Sequence, residues 1–416
     1  MRKVSFVVVG AGCRGSGYTK YIQSSPDEGE VIAVCEPIDE VRNRFGDTYN
    51  IPEELRFHDW KDILDKPKLA EAALICTQDA QHRDPAVALA GMGYHLMLEK
   101  PMAPTPEDCK VIYDAVIKNG VMLAVCHVLR YTALNIKLKE IIDSGVIGDI
   151  RDIQLIEQVG FWHQAHSYVR GNWRNEKESS SMLLAKSCHD MDILNYFIPS
   201  KCKSVSSFGS LSYFTRENQP KGAADRCTDC PRDIESKCPY SALKIYIRDR
   251  INSLDEWPVN VLTHEATEEA VMRELENGPY GRCVFACDND VVDHQVVNLE
   301  FEGGATASFT MSAFNFAAGR EVFIMGDQGA LKCTETGIDH YDFLSGKKSA
   351  IPLDTGDGLI TSGHGGGDFG LMGNFLNAVR NNDPSYITSG PDVSLESHLI
   401  VFAAEKARRD NTVEHL

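Results

Sequence analysis

Val4-Ser5-Phe6-Val7-Val8-Val9-Gly10-Ala11-Gly12-Cys13-Arg14-Gly15 is the stretch on which the fold turns. A short run rich in β-branched residues passes straight into G-x-G-x-x-G, and a helical segment follows. That context makes the glycines a dinucleotide-binding turn. Gly10 permits the tight bend, Gly12 lets the backbone approach a pyrophosphate, and Gly15 lets the helix pack closely on the strand. The N–H groups and partial positive charge at the helix start then hold the phosphates, with Cys13 and Arg14 in the variable positions beside them. Glu36 ends the second strand, 21 residues beyond Gly15. A carboxylate there accepts hydrogen bonds from a ribose diol and repels a 2′-phosphate, so NAD is expected in preference to NADP.

Outward from this turn, strand-like runs at Val4–Val9, Val31–Cys35, Ala72–Cys76, His95–Leu98 and Val121–Val125 alternate with helical patterns such as Pro85–Gly91 and Pro106–Asn119. Alternating units of this kind predict a parallel, doubly wound Rossmann sheet over residues 1–127, with ligands at the carboxyl ends of its strands. Thr77…His82 and Glu99-Lys100-Pro101 end two of those strands and so face the nicotinamide half of the cofactor. From 128 to 416 the pattern changes. A helix at Ala133–Ser144 precedes period-two runs at Asp152–Val159, Val205–Tyr213, Val291–Phe301, Ala305–Met311 and Glu321–Met325, and helices are expected at Asp368–Asn381 and Asp392–Arg409. These predict an α+β domain with an open, mostly antiparallel sheet, interrupted by a Cys-rich insertion at about 215–285.

The 416 residues carry 42 Lys plus Arg against 60 Asp plus Glu, a net charge of −18. That field repels polyanions, so neither nucleic acid nor an anionic membrane surface is expected as a partner. No apolar run reaches the ~18 residues of a membrane span, and the N-terminal run reads as a buried strand rather than a signal peptide. The 13 cysteines are odd in number and scattered, which fits a reducing cytoplasm better than a disulfide framework. Within the insertion, Cys227, Cys230 and Cys238 form C-x2-C-x7-C, candidate ligands for a structural zinc, with Cys283 or Cys287 as a fourth and Cys202 also open.

The glycine loop, Thr77…His82, Glu99-Lys100-Pro101, Ile147-Gly148-Asp149-Ile150 and the helix bearing His189-Asp190-Met191-Asp192 together resemble the Gfo/Idh/MocA oxidoreductases, named for glucose–fructose oxidoreductase and inositol dehydrogenase. The resemblance implies hydride transfer between NAD(P) and a sugar, inositol or related polyol, and assembly through the open sheet. It also implies Lys100 on the reacting hydroxyl and His189 as acid or base. Where members commonly carry a carboxylate four residues before that histidine, this chain has Ala185, and its neighbour Lys186 is available to the site instead. The alternative for Lys186 is a helical ion pair with Asp190.

Arg130, Asp190, His364 and the loop residues Trp162, His163, Arg170, Trp173 and Arg174 are the substrate candidates, since aromatic faces stack on sugar C–H faces and guanidinium groups fork onto hydroxyls or carboxylates. Three activities fit: an NAD-dependent dehydrogenase, a redox-neutral glycoside-cleaving enzyme that recycles tightly bound NAD, and a non-catalytic NAD-binding regulator.

Overall fold

The computed structural model describes residues 2–316, 319–334, 337–353 and 363–416. β1 (Val4–Val9), β2 (Gly29–Cys35), β3 (Arg56–Phe57), β4 (Ala72–Ile75), β5 (His95–Leu98) and β6 (Leu123–Val125) form a parallel sheet in the order β3-β2-β1-β4-β5-β6. Both faces are covered, which is why β1 and β4 read as nearly unbroken apolar runs. Val7, Val9, Ala73 and Ile75 meet α3 (Arg83–Gly91) and α4 (Pro106–Asn119), whereas Val4, Phe6 and Val8 meet α1 (Cys13–Ser24) and Phe45 of α2 (Asp39–Thr48). Helix α4 shows why its ends are legible: Thr105 accepts from the Asp108 N–H, Pro106 opens the first turn, and Gly120 closes it at φ +63°. Strand order reverses between β1 and β4, so the ligand crevice lies beyond Val9 and Ile75.

After α5 (Ala133–Asp143) comes a nine-stranded sheet built from β7 (Ile150–Gln158), β8 (Cys202–Ser210), β9 (His294–Phe301), β10 (Thr306–Ser312), β11 (Gly319–Gly326), β12 (Gly329–Thr334), β13 (Gly337–Asp342), β14 (Lys347–Ile351) and β15 (Val413–His415). Its order is β14-β13-β12-β11-β7-β10-β9-β8-β15, and only the β7–β10 pair is parallel. The inner face, with Ile153, Leu155, Leu299 and Phe309, packs on α6 (Cys188–Phe197) and on Ile400, Val401 and Ala404. The outer face leaves Phe208 59%, Ile156 40% and Val296 38% exposed.

Between β8 and β9 runs the insertion, mostly turns around α7 (Glu268–Asn277), with its own core of Phe214, Tyr246, Val259, Leu275 and Phe285. The chain then returns through α8 (Gly367–Asn381) and α9 (Pro391–Asp410). Helix α8 packs back on the first sheet, with Leu371, Phe375 and Leu376 in the core beneath Phe6 and Val8. Among the described residues no helix is long and apolar enough to cross a membrane.

Candidate active site

The glycine loop has the backbone that its sequence requires. Gly10 lies at φ +90°, and a Cβ there would stand 2.5 Å from the Cys76 carbonyl oxygen; one on Gly15 would stand 2.2 Å from the Gly10 oxygen. Gly12 instead faces open space, the approach a pyrophosphate needs. No side chain caps α1 and its first turn holds no acid, which leaves its N–H groups to a bound anion. Glu36 is buried at this loop and accepts from the Ala11 and Ile38 N–H groups (2.9 and 3.1 Å). The buried Thr77 Oγ1, at the end of β4, has no hydrogen-bond partner. These groups fit a dinucleotide laid over the loop.

Three expected cofactor contacts are spent elsewhere. Arg14 forks onto Asp368 (2.9 and 3.0 Å) and reaches Glu99 (2.7 Å), lying over the Tyr18 ring. Glu99 also accepts from Tyr18 Oη and the Lys100 N–H, so it is a knot joining loop, strand and α8. Burial opposes its charge, but Arg14 and Lys100 hold its carboxyl below the usual range. His82 is fully buried, with Nδ1 2.8 Å from the Pro101 carbonyl and Nε2 3.2 Å from that of Thr77; it braces two loops from beneath.

Lys100 and His189 do come together across the two sheets. The Lys100–Pro101 peptide is cis, and Lys100 Nζ donates to the Ala185 carbonyl oxygen at 2.6 Å, in the turn that leads into α6. His189, in the first turn of α6, is 4% exposed, and its Nδ1 has no partner. Burial, then Lys100 and His364, push its pKa well below the ordinary value, so the ring is neutral at pH 7. The His364 ring lies 6.0 Å from that of His189 and is held by Asp368 (3.0 Å). His163 joins them: burial, Lys186, His166 and Lys100 depress its pKa too, and its ring packs on Trp162 and Trp257.

Lys186 pairs neither with Asp190 nor with any acid of its own helix. Its partner is Glu157 of β7, at 3.1 Å. Glu157 also meets Arg320 (3.1 Å), which in turn holds Asp190 (2.6 Å). Sequence reading passed over Glu157, although the signal was there: in Ile153-x-Leu155-x-Glu157-x-Val159 the strand alternation places it on the buried face. His127 was missed as well. It is fully buried between His189 and Asp192, both ring nitrogens lack partners, and no pattern in the local sequence marks it.

The substrate candidates divide. His163 and His364 lie beside Lys100 and His189, whereas Trp162 packs on His163, Trp257 and Arg250 of the insertion. Arg130 does not: it is 3% exposed, forks onto Asp192 (2.7 Å twice) and donates to the Thr388 carbonyl. Asp190 is fully buried against Arg320, Arg174 forks onto Asp288 (2.9 and 3.0 Å), and Trp173 packs on the core of the second sheet. Arg170 is buried in the insertion. Each of these satisfies a partner that sequence spacing could not reveal. The insertion nevertheless borders the cofactor end: burial, then the neighbouring Cys13, push Tyr280 up to about 12.

Of the proposed metal ligands, Cys227, Cys230, Cys238 and Cys283 line one small cavity, while Cys202 lies in the core of the second sheet and Cys287 outside that lining. Among the described residues no three His, Cys, Asp or Glu side chains stand as a ready metal-holding group.

Comparison with known proteins gives a consistent picture. Residues 4–127 match the model for the oxidoreductase family's NAD-binding Rossmann fold (GFO_IDH_MocA), and residues 139–414 match that family's C-terminal alpha/beta domain. YteT of Bacillus subtilis is 22% identical over 354 residues, covering 81% of this chain and 77% of its own length. The inositol 2-dehydrogenase of Salmonella typhimurium is 27% identical over 51% of this chain, a match that spans 58% of that enzyme. In fold, the chain is similar over 100% of its length to 98% of the WlbA dehydrogenase from Bordetella pertussis, at a TM-score of 0.68 and 18% identity.

Proposed function

The chain belongs to the Gfo/Idh/MocA family of NAD-binding oxidoreductases, and from that premise we propose that it moves a hydride between NAD and a hydroxyl-bearing carbon of a sugar, glycoside or polyol. The observation that carries this reading is the meeting of a lysine ammonium with a buried, neutral histidine at the carboxyl end of the parallel sheet. The glycine loop, Glu36 and Thr77 would hold NAD, whose nicotinamide would supply the hydride acceptor or donor. His189 takes the hydroxyl proton in the oxidative direction, which its depressed pKa allows near pH 7. Lys100, anchored on the Ala185 carbonyl, donates a hydrogen bond to the oxygen as its C–H bond breaks. His163, backed by the Trp162 ring, lies near Lys100 and Lys186 and supplies the ring face that a sugar would meet. A carbohydrate substrate is supported by the inositol dehydrogenase relative and by the WlbA structure, which was solved with NADH and UDP-GlcNAcA.

The test is incubation with NAD and a panel of sugars, polyols and aryl glycosides, following NADH by absorbance and products by mass. NADH in proportion to oxidised product supports the reading and identifies the substrate class. Release of an aglycone with no net NADH supports the redox-neutral alternative instead. We also propose that the outer face of the nine-stranded sheet joins copies of the chain, because Phe208 and Val296 pair directly and Ile156 lies in line with them across Thr310, three exposed apolar side chains on one face. Sedimentation of a Phe208→Glu variant should then show a smaller species than the unaltered protein.

A further inference from the structure

His127 is a buried polar side chain for which the proposed reaction has so far found no use. It stands just past β6, where the Cys126 N–H donates to the Leu98 carbonyl (2.8 Å) and the His127 N–H to that of Val125 (2.7 Å). The chain is thus still tied to the parallel sheet as it brings the imidazole to the carboxyl end of the strands. The ring is wholly buried, and neither nitrogen has a hydrogen-bond partner among the described residues. Burial above all keeps it neutral, its pKa lowered to about 3, so one nitrogen carries a proton and the other is an acceptor.

The groups around it narrow what completes it. His398 is spent: Nε2 accepts from the Met102 N–H (2.8 Å), and Nδ1 lies 2.7 Å from the Ser394 carbonyl, which fixes its proton there. Arg130 is committed to Asp192 and the Thr388 carbonyl, and Lys100 Nζ to that of Ala185. Asp192 Oδ2 stands 3.8 Å from His127 Nδ1. An acceptor on that side places the His127 proton on Nδ1 and leaves Nε2 bare. Of these neighbours, His189 is the one whose ring also holds a buried nitrogen without a partner, Nδ1. The two rings stand edge to face, 6.0 Å apart at 77°, a spacing that one water bridges.

We propose that His127 is the positioning residue of His189: its Nε2 accepts the His189 Nδ1 proton through one bridging water, with Asp192 fixing the direction of the line from behind. The inference rests on the reading of His189 as the base. A neutral imidazole has a single proton, and holding it on Nδ1 leaves the lone pair of Nε2 for the substrate hydroxyl. In the oxidative direction the hydroxyl proton passes to Nε2 as the hydride departs, the Nδ1–H bond stays intact, and the added proton leaves to solvent with the product. Asp192 is already matched by Arg130, so the line orients the base without drawing the proton inward.

The experiment is ¹⁵N–¹H NMR of the full chain labelled at histidine, with the His189 signals identified by their loss in His189→Ala. Near pH 7 the unaltered protein should show His189 protonated at Nδ1 and bare at Nε2. In His127→Phe, which keeps a ring in the space but no acceptor, that tautomer should give way to a mixture, and kcat should fall about 10- to 100-fold while KM and NAD affinity stay within about 3-fold. His127→Gln, whose amide can both accept from the water and donate to Asp192, should recover most of the lost kcat; a residue that only fills space would show no such rescue. His189 protonated at Nε2 in the unaltered protein overturns the proposal, a reading that needs no variant of His127 to fold. So does a His127→Phe protein that binds NAD with tautomer and kcat unchanged. Full turnover in His189→Ala would instead remove the base itself, a failure of the proposed function that the tautomer measurement keeps separate.

Discussion

The cleft and the frame around it use the same residue types in opposite ways. In the frame, charges are matched: Arg130 forks onto Asp192, Arg14 onto Asp368, and Arg320 onto Asp190. In the cleft, Thr77 Oγ1, His189 Nδ1 and both nitrogens of His127 are buried without partners. An unmade hydrogen bond of this kind costs about 1–3 kcal/mol, and it persists where a ligand or ordered water completes it. Polar groups that spend everything on one another hold the molecule together. Unpartnered atoms also occur far from the cleft, as at Gln295 Oε1 and His340 Nε2 of the second sheet, so it is the gathering of several beside the glycine loop and Lys100 that marks the cleft.

Breaking the frame should cost stability first. Arg130→Ala leaves Asp192 charged, buried and with only Ser397 and distant His127 in support, so unfolding free energy should fall by ~3–5 kcal/mol. The double replacement Arg130→Met with Asp192→Leu should recover most of that loss in urea melts. Acid should reach the buried histidines next. Burial, the foremost cause in each case, lowers His127 and His166 to about 3 and His398 to about 4.

Because these folded values lie below the unfolded value of ~6.5, the unfolded chain binds more protons as pH falls. Stability is therefore intact above ~6.5 and declines below it, down to the folded values. Each histidine contributes roughly 1 kcal/mol of loss between pH 7.5 and 5.5, and urea midpoints at the two pH values measure the sum.

A narrower test concerns cofactor choice. Glu36→Ala removes a carboxylate that pins the Ala11 amide, and the preference for NAD over NADP should shrink at least ~10-fold, about 1.4 kcal/mol, in binding titrations. The smallest effect should come from the rim. Arg174→Ala breaks a fork onto the half-exposed Asp288, which that fork and Arg282 hold well below the usual carboxylate range. Solvent screens the pair, so less than ~1 kcal/mol should be lost. A larger loss would place Arg174 among the matched pairs of the frame.

How much of this could be read beforehand follows from the range of the interactions. β1, the glycine turn and α4 are set by neighbours in sequence, and their limits match the pattern reading. Lys100 and His189 could be singled out because their surroundings form motifs. Arg130, Arg174 and Asp190 were misplaced because their partners lie 62, 114 and 130 residues away, and composition near an arginine does not reveal which carboxylate it will meet. β13 and β14 escaped notice because their strands carry polar residues on both faces, as in Lys347–Ile351, and β12 because its alternation, Leu331 and Cys333 in with Lys332 and Thr334 out, is only four residues long. The packing of α8 on the first domain joins Phe375 to Phe6, a contact no local pattern contains.

The most direct test of the account compares unaltered protein with Lys100→Ala and His189→Ala, measuring turnover on an identified substrate and NAD binding in the same preparations. Turnover should fall ~10²–10⁴-fold in each while NAD affinity changes by no more than a few fold. Turnover retained in both variants, with NAD still bound, would contradict the assignment of these two residues to the reaction.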